Sequence, residues 1–214
     1  MTSRLLNAAN LACSSIYTPV AQKDFDKLYR INDTVCGTVL HDGVFYVVFQ
    51  GTETLSGWME DFDILPTNVM PFGLLHTGFY RHLPALMSLM KVSIPEDTPI
   101  VVTGHSKGAA EAIIFAAMLK LAKHDIQPIL FACPNVGQQE FTDWLKANLP
   151  GISFRNASEL IDDFGDPVPL VPIYPYTTPY PHTLINAPPE DALVPTSWHQ
   201  AKLYLAGVCK YATA

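Results

Sequence analysis

Apolar side chains recur along this chain at two spacings, and the switches between them mark its elements. Two runs rich in β-branched and aromatic residues, 34–40 and 44–50, flank His41-Asp42-Gly43, where the Asp-Gly step predicts an antiparallel hairpin. Between Gly78 and Met90 the spacing changes: Phe79, Leu83, Leu86, Leu89 and Met90 fall at helical intervals, which predicts a helix ending ahead of Pro95. Pro99 to Thr103 is a short apolar run that predicts a strand. Ala109 to Ala122 returns to helical spacing through Ala112, Ile113, Phe115, Ala116, Leu119 and Ala122, small enough on average to lie close against a sheet. Residues 127–134 predict a buried strand, 138–149 a helix and 152–156 another strand. Strands alternating with helices in this way imply parallel pairing through right-handed crossovers. Glu53 to Pro66 reads as loop or short helix, the proline-dense residues 165–195 as mostly ordered loop, and 198–211 as a closing helix.

Composition narrows the class. With 49% hydrophobic and 15% charged residues, the chain is not disordered and suits a sheet buried on both faces. Its 214 residues fit one domain, 1–214, with no linker pattern. Against 13 Lys and Arg stand 20 Asp and Glu, a net charge of −7, so phosphate backbones and anionic membrane surfaces are not expected partners. The apolar run 109–121 carries Glu111 and Lys120 and is too short to span a bilayer. Leu5 to Cys13 is amphipathic and broken by Asn7 and Asn10, so a retained helix rather than a secretory leader, and a cytoplasmic protein, are expected. Cys13, Cys36, Cys133 and Cys209 lack metal-type spacing and read as free buried thiols.

Gly104-His105-Ser106-Lys107-Gly108 falls between a predicted strand and a predicted helix, and that position gives it chemical meaning. A strand that turns at once into a helix brings its backbone against its neighbours, hence the glycines, and holds the central serine in a strained turn with its hydroxyl exposed. The helix adds N–H groups and a dipole that favour developing negative charge there. Ser106 is therefore a candidate nucleophile, and the backbone N–H of Lys107 a candidate oxyanion donor. A serine hydroxyl needs a histidine to take its proton, and the histidine needs a carboxylate to hold its tautomer. In this fold type the order is serine, acid, histidine. Asp162, Asp163 and Asp166 satisfy that order, as do His182 and His199, and spacing alone does not choose among them.

Six segments in order resemble the class 3 lipases, the family of the filamentous-fungal triacylglycerol lipases. Phe49-Gln50-Gly51-Thr52 with Trp58, His76-Thr77-Gly78-Phe79, the elbow Thr103 to Gly108, Pro134-Asn135-Val136-Gly137 with Phe141, and Asp166-Pro167-Val168-Pro169-Leu170-Val171-Pro172 are similar to the family's motifs, and Gly207-Val208-Cys209 is similar to its Gly-x-Cys after the last histidine. The resemblance implies an α/β-hydrolase fold, a mostly parallel central sheet with helices on both faces. It implies Ser106 as nucleophile, Asp166 as orienting acid, His199 rather than His182 as base, and Thr52 as the second oxyanion donor. It also implies that Cys13 and Cys209, like the ends of a family disulfide, are spatial neighbours, here expected to be reduced.

The chain departs from the family at Gln50 for an arginine, Lys107 for a leucine, and Ala109 for a glycine. Lys107 is read either as favouring an anionic substrate group or, more plainly, as a side chain reaching solvent at the helix start. His105 reads as packing, and Asp162 and Asp163 as a solvated acidic turn. Residues 57–75 occupy the place of a lid, with structural cover as the alternative. The expected function is hydrolysis of lipid-like carboxylic esters through an acyl-Ser106 intermediate, with no metal or organic cofactor and transient contact with a lipid interface. The alternatives are a phospholipase or lysophospholipase, and a catalytically silent binding protein of the same fold.

Overall fold

Alternation along the strands sorts side chains onto two faces of one sheet. The computed structural model describes residues 2–18, 21–52, 65–161, 164–173 and 175–213. Its strands are β1 (Lys27–Ile31), β2 (Thr34–His41), β3 (Val44–Phe49), β4 (Pro66–Val69), β5 (Gly73–His76), β6 (Ile100–His105), β7 (Ile126–Phe131), β8 (Ile152–Asn156) and β9 (His182–Ile185). Its helices are α1 (Thr2–Cys13), α2 (Thr77–Tyr80), α3 (Leu83–Met90), α4 (Lys107–Leu121), α5 (Gln139–Asn148) and α6 (Ala201–Thr213). Seven strands form a sheet in the order β1-β2-β3-β6-β7-β8-β9. The β1–β2 and β2–β3 pairs are antiparallel, and every pair from β3 to β9 is parallel.

Phe45, Val47, Phe49, Ile100, Val102 and Leu130 pack into one cluster with side chains of α2 to α5. Their neighbours Val44, Tyr46, Val48, Val101, Ile129 and Phe131 join Leu5, Ala8, Tyr204 and Val208 of α1 and α6 on the other face. Period-2 alternation thus buries both faces, and the α/β-hydrolase fold with its mostly parallel sheet is as expected. Helix α4 is buried almost all round, its small residues meeting the sheet closely and its buried set including Lys107 and Glu111.

Local readings shift in four places. The predicted helix over 78–90 is two helices, because Pro84 stands at the start of α3, where its missing N–H is harmless, rather than inside a longer helix. Strand β1 was not anticipated: only Tyr29 and Ile31 are partly buried on this edge, so its apolar pattern is faint. Strand β9 lies inside the proline-dense stretch taken as loop, a short edge strand paired parallel to β8. Of the expected lid 57–75, residues 57–64, with Trp58, lie outside the described residues, as do Asp162 and Asp163. From Pro66 onward the segment is a hairpin, β4–β5, that buries Phe72 and Leu75 in the core.

All four cysteines are free, and Cys209 is exposed rather than buried as expected. The helices that carry Cys13 and Cys209 pack against each other. Among the described residues no helix is long and apolar enough to cross a membrane.

Candidate active site

Parallel strands end on a common edge, and the candidate residues leave the sheet there. Ser106 follows β6 at φ 60° and ψ −130°, a conformation that non-glycine residues adopt only under constraint. The constraint is visible at the glycines. A Cβ on Gly104 would overlap the backbone of Gly108, and one on Gly108 would overlap the backbone of Phe49 and Gln50. Phe49 sits opposite Gly104 across the β3–β6 pair, so the chain through Gly51 and Thr52 leaves β3 beside the elbow.

Asp166 comes from the loop after β8. Its N–H donates to Asn156 O at 2.9 Å, closing that loop back on the strand, and its Oδ1 accepts from Val168 N at 2.9 Å. His199 ends a short 3-10 turn, Pro195–His199, ahead of α6. Its Nδ1 lies 2.8 Å from Asp166 Oδ2 and its Nε2 2.8 Å from Ser106 Oγ. A buried carboxylate accepts only, so Nδ1 carries the proton, Nε2 is the acceptor, and the Ser106 hydroxyl donates to it. The hydroxyl is thereby aligned with a group able to remove its proton.

Two residues that sequence reasoning missed hold this chain in place. Tyr204 of α6 donates its hydroxyl to Asp166 Oδ2 at 2.6 Å and accepts from Asn156 N at 3.1 Å. Burial first, and the Asp166 charge second, push its phenol well above the ordinary tyrosine range, which keeps it a donor. The Asn156 amide donates to Ala187 O at 2.9 Å and Trp198 O at 3.1 Å and accepts from Ala187 N at 2.9 Å. It therefore pins the segment that delivers His199. Nothing in the sequence marked either residue.

His105 is packed as expected: its ring centroid lies 4.8 Å from that of His199 and 5.2 Å from that of Tyr204. Burial and then the nearby His199 hold it well below the ordinary histidine range, so it stays neutral. The Tyr17 hydroxyl, 3.2 Å from His105 Nδ1, also accepts from Gly51 N at 3.1 Å and so ties the Thr52 loop to the elbow. His182 sits in β9, lowered to about 4 by burial and by Arg155, and Ser106 Oγ is bonded to His199 instead.

Both readings of the Lys107 side chain are corrected. It neither reaches solvent nor faces a substrate, because Nζ is buried 2.8 Å from Asp33 Oδ2 and 3.2 Å from Glu111 Oε1. The Lys107 backbone is another matter: the first N–H groups of a helix have no intrahelical acceptor, and Lys107 opens α4 directly after Ser106. Thr52 is exposed at a cleft of about 550 Å³ that is also lined by Tyr17, His105, Thr196, His199, Gln200 and Ala201. Among the described residues no group of His, Cys, Asp and Glu is arranged to hold a metal ion.

Comparison with known proteins agrees with this architecture. LIH1, a lipase homologue of Saccharomyces cerevisiae, is 30% identical over 166 residues, a match covering 60% of this chain and 51% of LIH1. Phospholipase A1-IIdelta of Arabidopsis thaliana is 29% identical over 119 residues, covering 52% of this chain and 28% of that protein. The chain thus spans about half the length of one curated relative and less of the other. A lipase structure from Rhizopus microsporus var. chinensis superposes with a TM-score of 0.68 at 20% identity, over 86% of this chain and 74% of that one, a likeness of fold. The family model for lipase (class 3) matches residues 46–175, which is more than half of the sequence and takes in the Thr52 loop, the elbow and Asp166. The chain belongs to the class 3 lipase family.

Proposed function

We propose that the protein is a serine hydrolase of carboxylic esters, acting on lipid-like acyl esters. One observation carries the reading: the unbroken hydrogen-bond chain from Ser106 through His199 to Asp166, opening on a cleft at the C-terminal edge of the sheet. In this reading His199 Nε2 takes the proton as Ser106 Oγ attacks the ester carbonyl. Asp166 stabilises the imidazolium, and the N–H groups of Lys107 and Thr52 receive the developing oxyanion. Collapse of the tetrahedral intermediate expels the alcohol with the proton from His199 and leaves an acyl-Ser106 ester. Water, activated by the same histidine, releases the acid. Each step uses only these side chains, the two backbone N–H groups and water.

Membership of the class 3 lipase family supports ester chemistry, and the apolar residues Leu65 and Met70, exposed in the described part of the expected lid region, suit a lipid-like substrate. A second reading, cleavage of the acyl ester of a phospholipid, is favoured by the similarity to the Arabidopsis phospholipase. Turnover of p-nitrophenyl esters of rising chain length, measured beside zwitterionic phospholipid vesicles, separates the two. Hydrolysis of the esters alone fits the first reading and release of fatty acid from the vesicles fits the second. No turnover of either by folded protein leaves a silent binding protein and overturns both.

A further inference from the structure

Lys107 does two things from one Cα. Its peptide N–H lies next to Ser106, and its side chain runs between the buried carboxylate of Glu111 and the half-exposed carboxylate of Asp33 behind the elbow. Nζ donates to Asp33 Oδ2 at 2.8 Å and to Asp33 O at 2.9 Å, and lies 3.2 Å from Glu111 Oε1, one helical turn further along α4. Thr34 Oγ1 donates to the same Glu111 oxygen at 2.8 Å. Asp33 stands in the turn between β1 and β2, where its other oxygen meets His82 Nε2 at 3.2 Å and Arg81 Nη2 at 3.6 Å. The cluster therefore joins the edge hairpin, the α2–α3 junction and the first two turns of the elbow helix.

Such a cluster is a costly way to hold a helix. Burial of each ion is offset only when its partners are complete, and an apolar pair of similar volume is often the more stable choice. The leucine usual in the family at position 107 would anchor the turn without any charge. Here Glu111 is 1% exposed, and its Oε2 has no partner among the described residues. An arrangement that leaves a buried carboxylate half-satisfied beside the residue after the nucleophile is better explained by what it does to that residue than by stability.

We propose that Asp33, Lys107 and Glu111 are positioning residues: the Lys107 side chain, stretched between the two carboxylates, sets the direction of its own peptide N–H, so the strength of that oxyanion donor follows the charge on Glu111. The inference rests on the reading of the Lys107 N–H as a donor to the oxyanion. With Glu111 ionised, Lys107 is held from two sides; with Glu111 protonated, Asp33 alone retains it.

The surroundings make this charge variable near neutral pH. Burial raises Glu111 to about 7, against the opposing influence of Lys107 and Thr34. Facing it are Lys107 from its own helix, Asp33 from the β1–β2 turn and Cys36 from β2, whose thiol burial and Glu111 push upward, so it stays neutral. Arg81 and His82 touch Asp33; burial first, and Arg81 second, lower His82, so its charge change falls on the acid side of that of Glu111. For Asp33, burial acts upward, but the Lys107 contacts prevail and hold it below the usual carboxylate range. Of the groups in contact with the Lys107 ammonium, Glu111 is thus the one that changes charge there.

The test compares wild type with Glu111→Gln, reading kcat and KM for a soluble p-nitrophenyl ester from about pH 5.5 to about 8.5. His199 is present in both proteins, so the ratio of the two kcat profiles isolates Glu111. That ratio should rise from about 1 at the acid end to about tenfold at the alkaline end, short of the roughly 10²-fold or more that loss of a donor costs, with KM unchanged. Independently of turnover, the amide resonance of Lys107 should titrate with the same midpoint in wild type and in Ser106→Ala, and stay still in Glu111→Gln. Thr34→Val, which removes a hydrogen bond to the ionised carboxylate, should move that midpoint to higher pH, and it serves if Glu111→Gln does not fold. A ratio that is constant with pH, or a Lys107 amide indifferent to Glu111, overturns the clamp. Retained hydrolysis by Ser106→Ala instead overturns the proposed function, whatever the amide does.

Discussion

Two polar networks begin at adjacent residues of one turn, Ser106 and Lys107, and differ in how fully they are satisfied. On the Ser106 side, both His199 nitrogens are engaged, and the Asp166 carboxylate accepts from His199, Tyr204 and Val168. On the Lys107 side the half-exposed Asp33 and the buried Glu111 share one ammonium, and one Glu111 oxygen is unpaired among the described residues. A satisfied network specifies one geometry and one protonation pattern, whereas a partly satisfied one is a place where charge changes at low cost. The first arrangement suits chemistry that must repeat identically, and the second suits adjustment.

The largest break in this comparison is at Ser106. Ser106→Ala should leave the fold intact and lower ester turnover by about 10⁶-fold, the scale seen when such a nucleophile is removed, as read by single-turnover assay with circular dichroism as control. His199→Ala should come close to it, while His182→Ala keeps most of the activity. Asp166→Asn should cost about 10⁴-fold through the wrong histidine tautomer, with KM little affected.

The Lys107 side should show its effect in stability. Glu111 has a folded-state value of about 7 against an ordinary 4.5, so the folded protein holds a proton that the unfolded chain releases between those values. Its stabilising contribution is complete below about pH 4.5 and is lost as pH rises to about 7. Urea unfolding of wild type should therefore fall by up to about 3 kcal/mol relative to Glu111→Gln between about pH 5 and about pH 8. Parallel curves would mean that Glu111 is ionised throughout and that the two networks are alike.

Tyr204→Phe sharpens the comparison from the other side. It removes one donor to Asp166 and leaves Asn156 N without its acceptor, so a loss of about 2 kcal/mol in urea unfolding is expected, together with lower kcat. An unchanged stability would show that the Asp166 side is less tightly satisfied than its geometry indicates.

The two sides were also unequally legible in the sequence. Gly104, Ser106 and Gly108 announce themselves because a strand that turns at once into a helix imposes a local steric requirement, and local requirements are written in adjacent residues. Asp166 and His199 meet Ser106 only because two loops, pinned by Asn156, converge on it, so their order was readable but their selection needed the family resemblance. Tyr204 looked like one aromatic among several in a closing helix. Lys107 and Glu111 stand at a spacing that usually means a solvated pair on a helix surface. What inverts that meaning is the burial of almost the whole surface of α4 and the arrival of Asp33 from a hairpin more than seventy residues earlier, neither of which is a local property. Strands β1 and β9 escaped for a related reason: edge strands bury half a face and need no strong apolar alternation.

The central claim, that Ser106 is an activated nucleophile, is tested most directly by incubating folded protein with a fluorophosphonate probe and mapping the adduct by mass spectrometry. The account predicts one adduct, on the Ser106 hydroxyl, forming much more slowly in His199→Ala than in His182→Ala. No adduct, or an adduct on another residue of a protein that still hydrolyses esters, would contradict it.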